Sequence, residues 1–172
     1  MDFKVFFESS FAQLYQNTID AWPNTTKRQH AIDPVVISDV KIIPFLGVRT
    51  LFVKGLATNE NREYNTIALF KEVNYSNDGD ATIEVDGKDY KFDKPNLSTS
   101  NILVRCGCDD FNWRICHYNY IDKSLYGRDR KPYTRVEGST RPPANPYKLP
   151  ALCKHLIRFF EELFNKNLVS LE

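Results

Sequence analysis

Cys106-Gly107-Cys108 and, after a spacer of 44 residues, Cys153-Lys154-His155 offer three thiols and one imidazole from two short clips. Thiolate sulfur and imidazole nitrogen are ligands that zinc prefers. A site that fills all four tetrahedral positions with protein atoms is structural, because it leaves none for water or substrate. The pattern therefore predicts a structural Zn2+ held by Cys106, Cys108, Cys153 and His155. Two rivals lie in the spacer. Cys116 reads as a small buried hydrophobe, and His117 is a reserve for the fourth position if His155 faces away. His30 sits in a polar loop and is left out of the set.

Two elements must position these ligands. Alternate side chains of an extended strand share a face, so a strand over Ile102 to Cys106 presents Cys106 and Cys108 to one side. A final helix, opened by Pro150 and running over residues 150–168, carries the apolar stripe Leu152, Leu156, Phe159, Phe160, Leu163 and Phe164. Cys153 then falls in its first turn, where unpaired N–H groups favour a thiolate. His155 would point about 200° around an ideal helix from Cys153. One ion reaches both only at a loosened helix start or near the helix end.

The rest of the chain reads as an α+β fold. Apolar positions Phe3, Phe6, Phe7, Phe11, Leu14, Tyr15, Ile19 and Trp22 predict an amphipathic helix within residues 1–34, followed by a polar loop. From 35 to 108 the pattern is that of strands: Val35 to Ile37, Val40 to Ile43, Val48 to Val53, Thr66 to Val73 and Ile102 to Cys106. Asp86-Gly87 predicts a two-residue hairpin turn that pairs Ile83 with Tyr90 and Val85 with Lys88. Asp109-Asp110 precede a helix within 109–121, and 122–150 form a long inserted arm with five prolines and no periodicity. The expectation is a single domain: an antiparallel sheet packed against a C-terminal helix, with a zinc-finger-like ββα unit.

The 172 residues are 42% hydrophobic, enough for one good core, and their formal charge of +1 implies no global attraction to nucleic acid or an anionic membrane. No apolar run approaches the roughly 20 residues of a membrane helix. Met1-Asp2-Phe3-Lys4 lacks the layout of a secretion signal, so a reducing cytoplasm and metal-binding rather than disulfide-bonded cysteines are expected. There is no Gly-rich phosphate loop, no G-x-S-x-G and no H-E-x-x-H, and the expectation is a protein that is not an enzyme. Within the arm, Tyr126, Arg128, Arg130, Lys131, Tyr133, Arg135 and Arg141 interleave charge with aromatic rings. They are candidates for a protein interface or for phosphate contacts, the protein neighbour being favoured because the prolines suit an extended arm.

The two clips resemble the SWIM-type zinc finger, with C-x-C, a variable spacer and C-x-H at a helix start, over about residues 100 to 165. That resemblance implies a compact ββα unit and, as an alternative function, a zinc-dependent nucleic-acid-binding module. A second likeness rests on Leu51-Phe52-Val53-Lys54-Gly55, Phe70-Lys71-Glu72-Val73, Val104-Arg105-Cys106-Gly107-Cys108-Asp109-Asp110-Phe111, Asn145-Pro146 and Leu149-Pro150-Ala151-Leu152-Cys153-Lys154-His155-Leu156. These stretches look like a group of tailed-bacteriophage virion proteins, and a composition rich in Asn, Lys and Tyr looks most like those of crAss-like phages. The resemblance implies a structural part of the particle, a ring or adaptor subunit at the head-to-tail junction. Its implied partners are portal, neck or tail ring subunits and further copies of itself in a ring. Non-specific contact with packaged DNA would come with that location, and contact with a membrane would not.

Overall fold

A computed structural model describes residues 9–23 and 31–171. Its first helix, α1 (Phe11–Ala21), is capped by Ser10, whose side chain accepts from the Gln13 N–H at 3.3 Å. Leu14, Thr18 and Ala21 are its buried residues. The expected positions Phe3, Phe6 and Phe7 lie outside the described residues, as does His30.

Six strands follow: β1 (Val36–Phe45), β2 (Thr50–Asn59), β3 (Arg62–Phe70), β4 (Ala81–Val85), β5 (Lys88–Phe92) and β6 (Ile102–Cys106). Four form one antiparallel sheet in the order β1-β2-β3-β6. The two short runs expected at Val35 to Ile37 and Val40 to Ile43 are one strand, kinked by a register shift between Ser38 and Lys41 where Asp39 has a φ of 49°. Thr66 to Val73 was expected as a strand; the pairing instead starts earlier, at Arg62, and stops at Phe70. A tight turn with Glu60 at a φ of 57° joins β2 to β3, and Glu72, also at 57°, ends the pairing.

The Asp86-Gly87 hairpin has the expected register, Ile83 opposite Tyr90 and Val85 opposite Lys88. It does not extend the main sheet, however, and forms its own two-stranded sheet. The place beside β3 is taken by β6, paired from Thr66↔Cys106 to Phe70↔Ile102. The hairpin is held close to Gly79, where an added Cβ would lie 2.5 Å from the Phe92 backbone.

One face of the main sheet is dry. Leu51, Val53 and Ala57 of β2, Ala68 and Phe70 of β3, and Ile102, Val104 and Cys106 of β6 are all completely buried. The last helix, α3 (Lys154–Asn165), lays Leu156, Phe159, Phe160 and Leu163 on that face, and Phe11 of α1 packs on Phe160 with ring centroids 4.7 Å apart. Small residues on the sheet make room for large ones on the helix. At Gly55 a Cβ would stand 2.7 Å from the ring of Phe159, so only a glycine lets the helix come this close. Burying each such phenylalanine contributes about 1.5–3 kcal/mol, and most of the buried apolar side chains among the described residues belong to one continuous cluster.

Between β6 and α3, residues Phe111–Ile115 make a wide π-type turn that runs into a short helix, α2 (Cys116–Ile121). The expected helix is therefore present but is not α-helical at its start, and Asp110 makes no side-chain cap there. The arm has no helix or regular strand of its own, but its ends are anchored. Leu125 bridges to Val104 at the free edge of β6, and the buried Asn145 amide accepts from the Leu149 N–H and donates to the carbonyls of Arg114 and Leu149. After α3, Ser170 pairs in parallel with Asn96.

Candidate metal centre

Cys106 ends β6, and the ladder with β3 persists one residue further because the Gly107 N–H donates to the Asn65 carbonyl at 3.0 Å. That extension keeps Cys108 beside Cys106. The chain then turns sharply: the Phe111 N–H donates to the Cys108 sulfur at 3.3 Å and the Asn112 N–H to the Cys108 carbonyl at 3.0 Å. The first clip is thus a strand end closed by a turn wrapped around its second thiol.

The second clip differs from expectation in a way that solves its geometry. The helix begins at Lys154, not Pro150, and ends at Asn165 rather than 168. Cys153 lies just outside it, in an extended conformation with φ −85° and ψ 164°. The 200° divergence applies only when both residues are helical, so an extended Cys153 and a first-turn His155 can face the same point.

The reason lies in what holds residues 151 and 152. Asn119 of α2 clamps Ala151 with both halves of its amide: Nδ2 donates to the Ala151 carbonyl at 3.0 Å and the Ala151 N–H donates to Oδ1 at 2.8 Å. Thr18 of α1 takes the Leu152 N–H on its hydroxyl oxygen at 2.9 Å and donates that hydroxyl to the Leu14 carbonyl at 2.8 Å. Backbone groups that would otherwise enter a helix are bonded sideways, which delays the helix until Lys154. Asn119 and Thr18 are completely buried positioning residues.

One ligand atom from each of Cys106, Cys108, Cys153 and His155 lies within 4.8 Å of the other three, and all four residues are buried. Metal–sulfur bonds of about 2.3 Å in a tetrahedron place sulfurs roughly 3.8 Å apart, so the cluster has the size of one coordination sphere. The donor chemistry fits as well. His155 is 4% exposed, its ring rests 4.8 Å from that of Tyr64, and neither Nδ1 nor Nε2 has a hydrogen-bond partner. A buried imidazole with both nitrogens unbonded is costly, and a metal ion would supply a partner for one of them.

Three thiols this close cannot all ionise without a cation. Burial pushes Cys106 and Cys153 well above the usual thiol range, whereas hydrogen bonds from Cys106, then from Cys153, hold Cys108 well below it. Ionisation is thus favoured at Cys108 and disfavoured at Cys106 and Cys153; a divalent ion would draw off the other protons. Cys153 and His155 flank the N-terminus of α3, where the helix dipole favours negative charge.

The other candidates fall elsewhere. Cys116 is buried outside the cluster, and burial raises its thiol pKa. His117 Nδ1 faces the Asp129 carboxylate at 3.1 Å, so the fourth ligand in the cluster is His155. Of the arm residues, Tyr133, Arg135 and Arg141 line one cleft with Trp113, and Arg130 lies over the Trp113 ring at 4.3 Å. Tyr126 packs on Phe52, and Arg128 lends its carbonyl to Arg105; neither lines that cleft, and nor does Lys131. Trp113 was not singled out in the sequence. The signal was its place off the Phe111, Ile115, Tyr118 stripe, which turns a large aromatic away from the core.

No helix among the described residues is long and apolar enough to cross a membrane. No protein-family model, curated protein or solved structure matches the chain.

Proposed function

We propose that this chain is a structural subunit of a tailed-phage virion, a ring or adaptor at the head-to-tail junction, whose arm is stapled at its base by Zn2+. The observation that carries the reading is the convergence of four buried ligands from either side of the segment that carries the exposed arm. Three thiols and an imidazole within 4.8 Å of one another are a donor set that selects zinc over hard cations. Four buried ligands from the chain would fill a tetrahedral ion's positions, which suits a structural ion.

The virion assignment is supported by the sequence resemblance over about residues 48 to 165. A ring is built from heterologous contacts that close by rotation, and an extended segment gripped by the next subunit enlarges each contact. Arm residues 128–134 and 136–143 are exposed while both ends are bonded down, as such a contact requires.

A second reading is a SWIM-type nucleic-acid-binding module. It is favoured by the six basic against three acidic side chains over residues 122–144. The two readings differ in salt dependence. Sedimentation with and without a portal-ring partner should give ring-sized species, while a mobility-shift assay with DNA shows no steep loss between 50 and 200 mM salt. A monomer whose DNA affinity falls by about 10³-fold or more over that range would overturn the assembly reading.

A further inference from the structure

We propose that the cleft at the base of the arm receives an acidic segment of a protein partner, with a carboxylate held by Arg135 and Arg141 beside Trp113 and Tyr133. This deepens the assembly reading and rests on it for the partner's origin. The cleft encloses about 320 Å³, room for one or two side chains, and its walls include Tyr118, Pro132 and Pro143 but no acidic residue. Trp113 and Tyr133 are 44% and 50% exposed and stand edge to face at 5.9 Å, so two neighbouring rings are partly open on the cleft wall.

The charges on the wall are unbalanced. Arg114 is paired with Asp110 at 3.0 Å, but no acidic side chain among the described residues pairs with Arg135 or Arg141. The Arg135 Nε–H is shielded from solvent and has no acceptor. A buried guanidinium N–H without a partner costs stability, and a carboxylate would supply a charge-assisted, planar match to it. The chain presents the donor without the acceptor, so the acceptor is expected from outside.

A peptide fits better than a nucleic acid. The Trp113 ring already has Arg130 over it at 4.3 Å and the edge of Tyr133 at 5.9 Å, so it is not a free platform for a base. A single small cleft also lacks the succession of stacking surfaces that single strands use. Rings and prolines beside two arginines on one cleft wall suit an acidic side chain flanked by apolar ones.

The test is a titration of the ¹⁵N-labelled full chain, purified with its metal retained, read at the indole N–H of Trp113, with Trp22 as internal reference. The probes are the peptide acetyl-Gly-Glu-Leu-Glu-Gly-amide, its glutamine counterpart, inorganic phosphate and an oligothymidylate. The acidic peptide should shift the Trp113 signal saturably. The glutamine peptide, and the acidic peptide on Arg135→Gln or Arg141→Gln, should bind at least about tenfold more weakly with metal content unchanged. Equal response to both peptides, no response to either, or tighter saturation by phosphate or oligothymidylate would overturn the proposal. Sedimentation of the same samples separates the two ideas. Peptide binding by a chain that never assembles sinks the assembly reading alone, and rings that form without peptide binding sink the cleft alone.

Discussion

At the scale of single residues, His155 and the three clustered cysteines stand apart from the remaining His and Cys side chains because their burial makes chemical sense only together. Cys116 is equally buried yet needs no partner, since a lone thiol behaves as a small apolar group. Cys108→Ser and Cys153→Ser should each abolish stoichiometric metal by elemental analysis, whereas Cys116→Ala should retain it. Metal binding to structural sites of this kind supplies on the order of 10 kcal/mol of folding free energy. Chelation should therefore lower the melting temperature of the parent and of Cys116→Ala sharply, and change Cys108→Ser little. The ligand identities were legible from residue type and spacing alone, because C-x-C and C-x-H are local patterns. The C-x-H spacing favoured His155 with His117 in reserve, and the final choice needed the fold, which brings His155 to the three thiols and turns His117 to Asp129.

Among the elements, the centre depends on where α3 is prevented from starting. Asn119→Ala would leave the Ala151 N–H and carbonyl buried and unbonded, a cost of about 2–4 kcal/mol by urea denaturation. Because Cys153 would then be free to join the helix, metal affinity should weaken along with stability, which a competition titration against a chelating dye measures. Strand positions, the Asp86-Gly87 register and the apolar face of α3 followed from periodicity and turn chemistry. The delayed start of α3 did not, because Pro150 is an ordinary helix opener and its veto comes from Asn119 and Thr18, 31 and 132 residues away in sequence. Sheet membership was hidden for a similar reason. A hairpin's own residues specify its register, but whether it joins a larger sheet depends on which strand occupies the neighbouring edge, here β6.

Over the whole molecule, stability should fall at high pH for a reason unrelated to the metal. Burial pushes the Tyr75 hydroxyl, which donates to the Thr50 carbonyl at 2.6 Å, up to about 12 from 10.0. A raised folded-state pKa contributes stability that is complete below pH 10 and lost as the pH climbs towards 12, because the unfolded chain ionises first. Unfolding of the parent should become easier across that window, and Tyr75→Phe should show a flatter profile. The arm, finally, leaves and re-enters the body through contacts that do not depend on what lies between them: the Leu125 bridge at one side, the Asn145 and Asn119 amides at the other. Lengthening a flexible loop costs only about 0.6 kcal/mol per doubling. The tip near Val136, itself 80% exposed, is thus a natural graft point, where an epitope or a whole small domain can be spliced in while the closed ring of ligands beneath it keeps its shape.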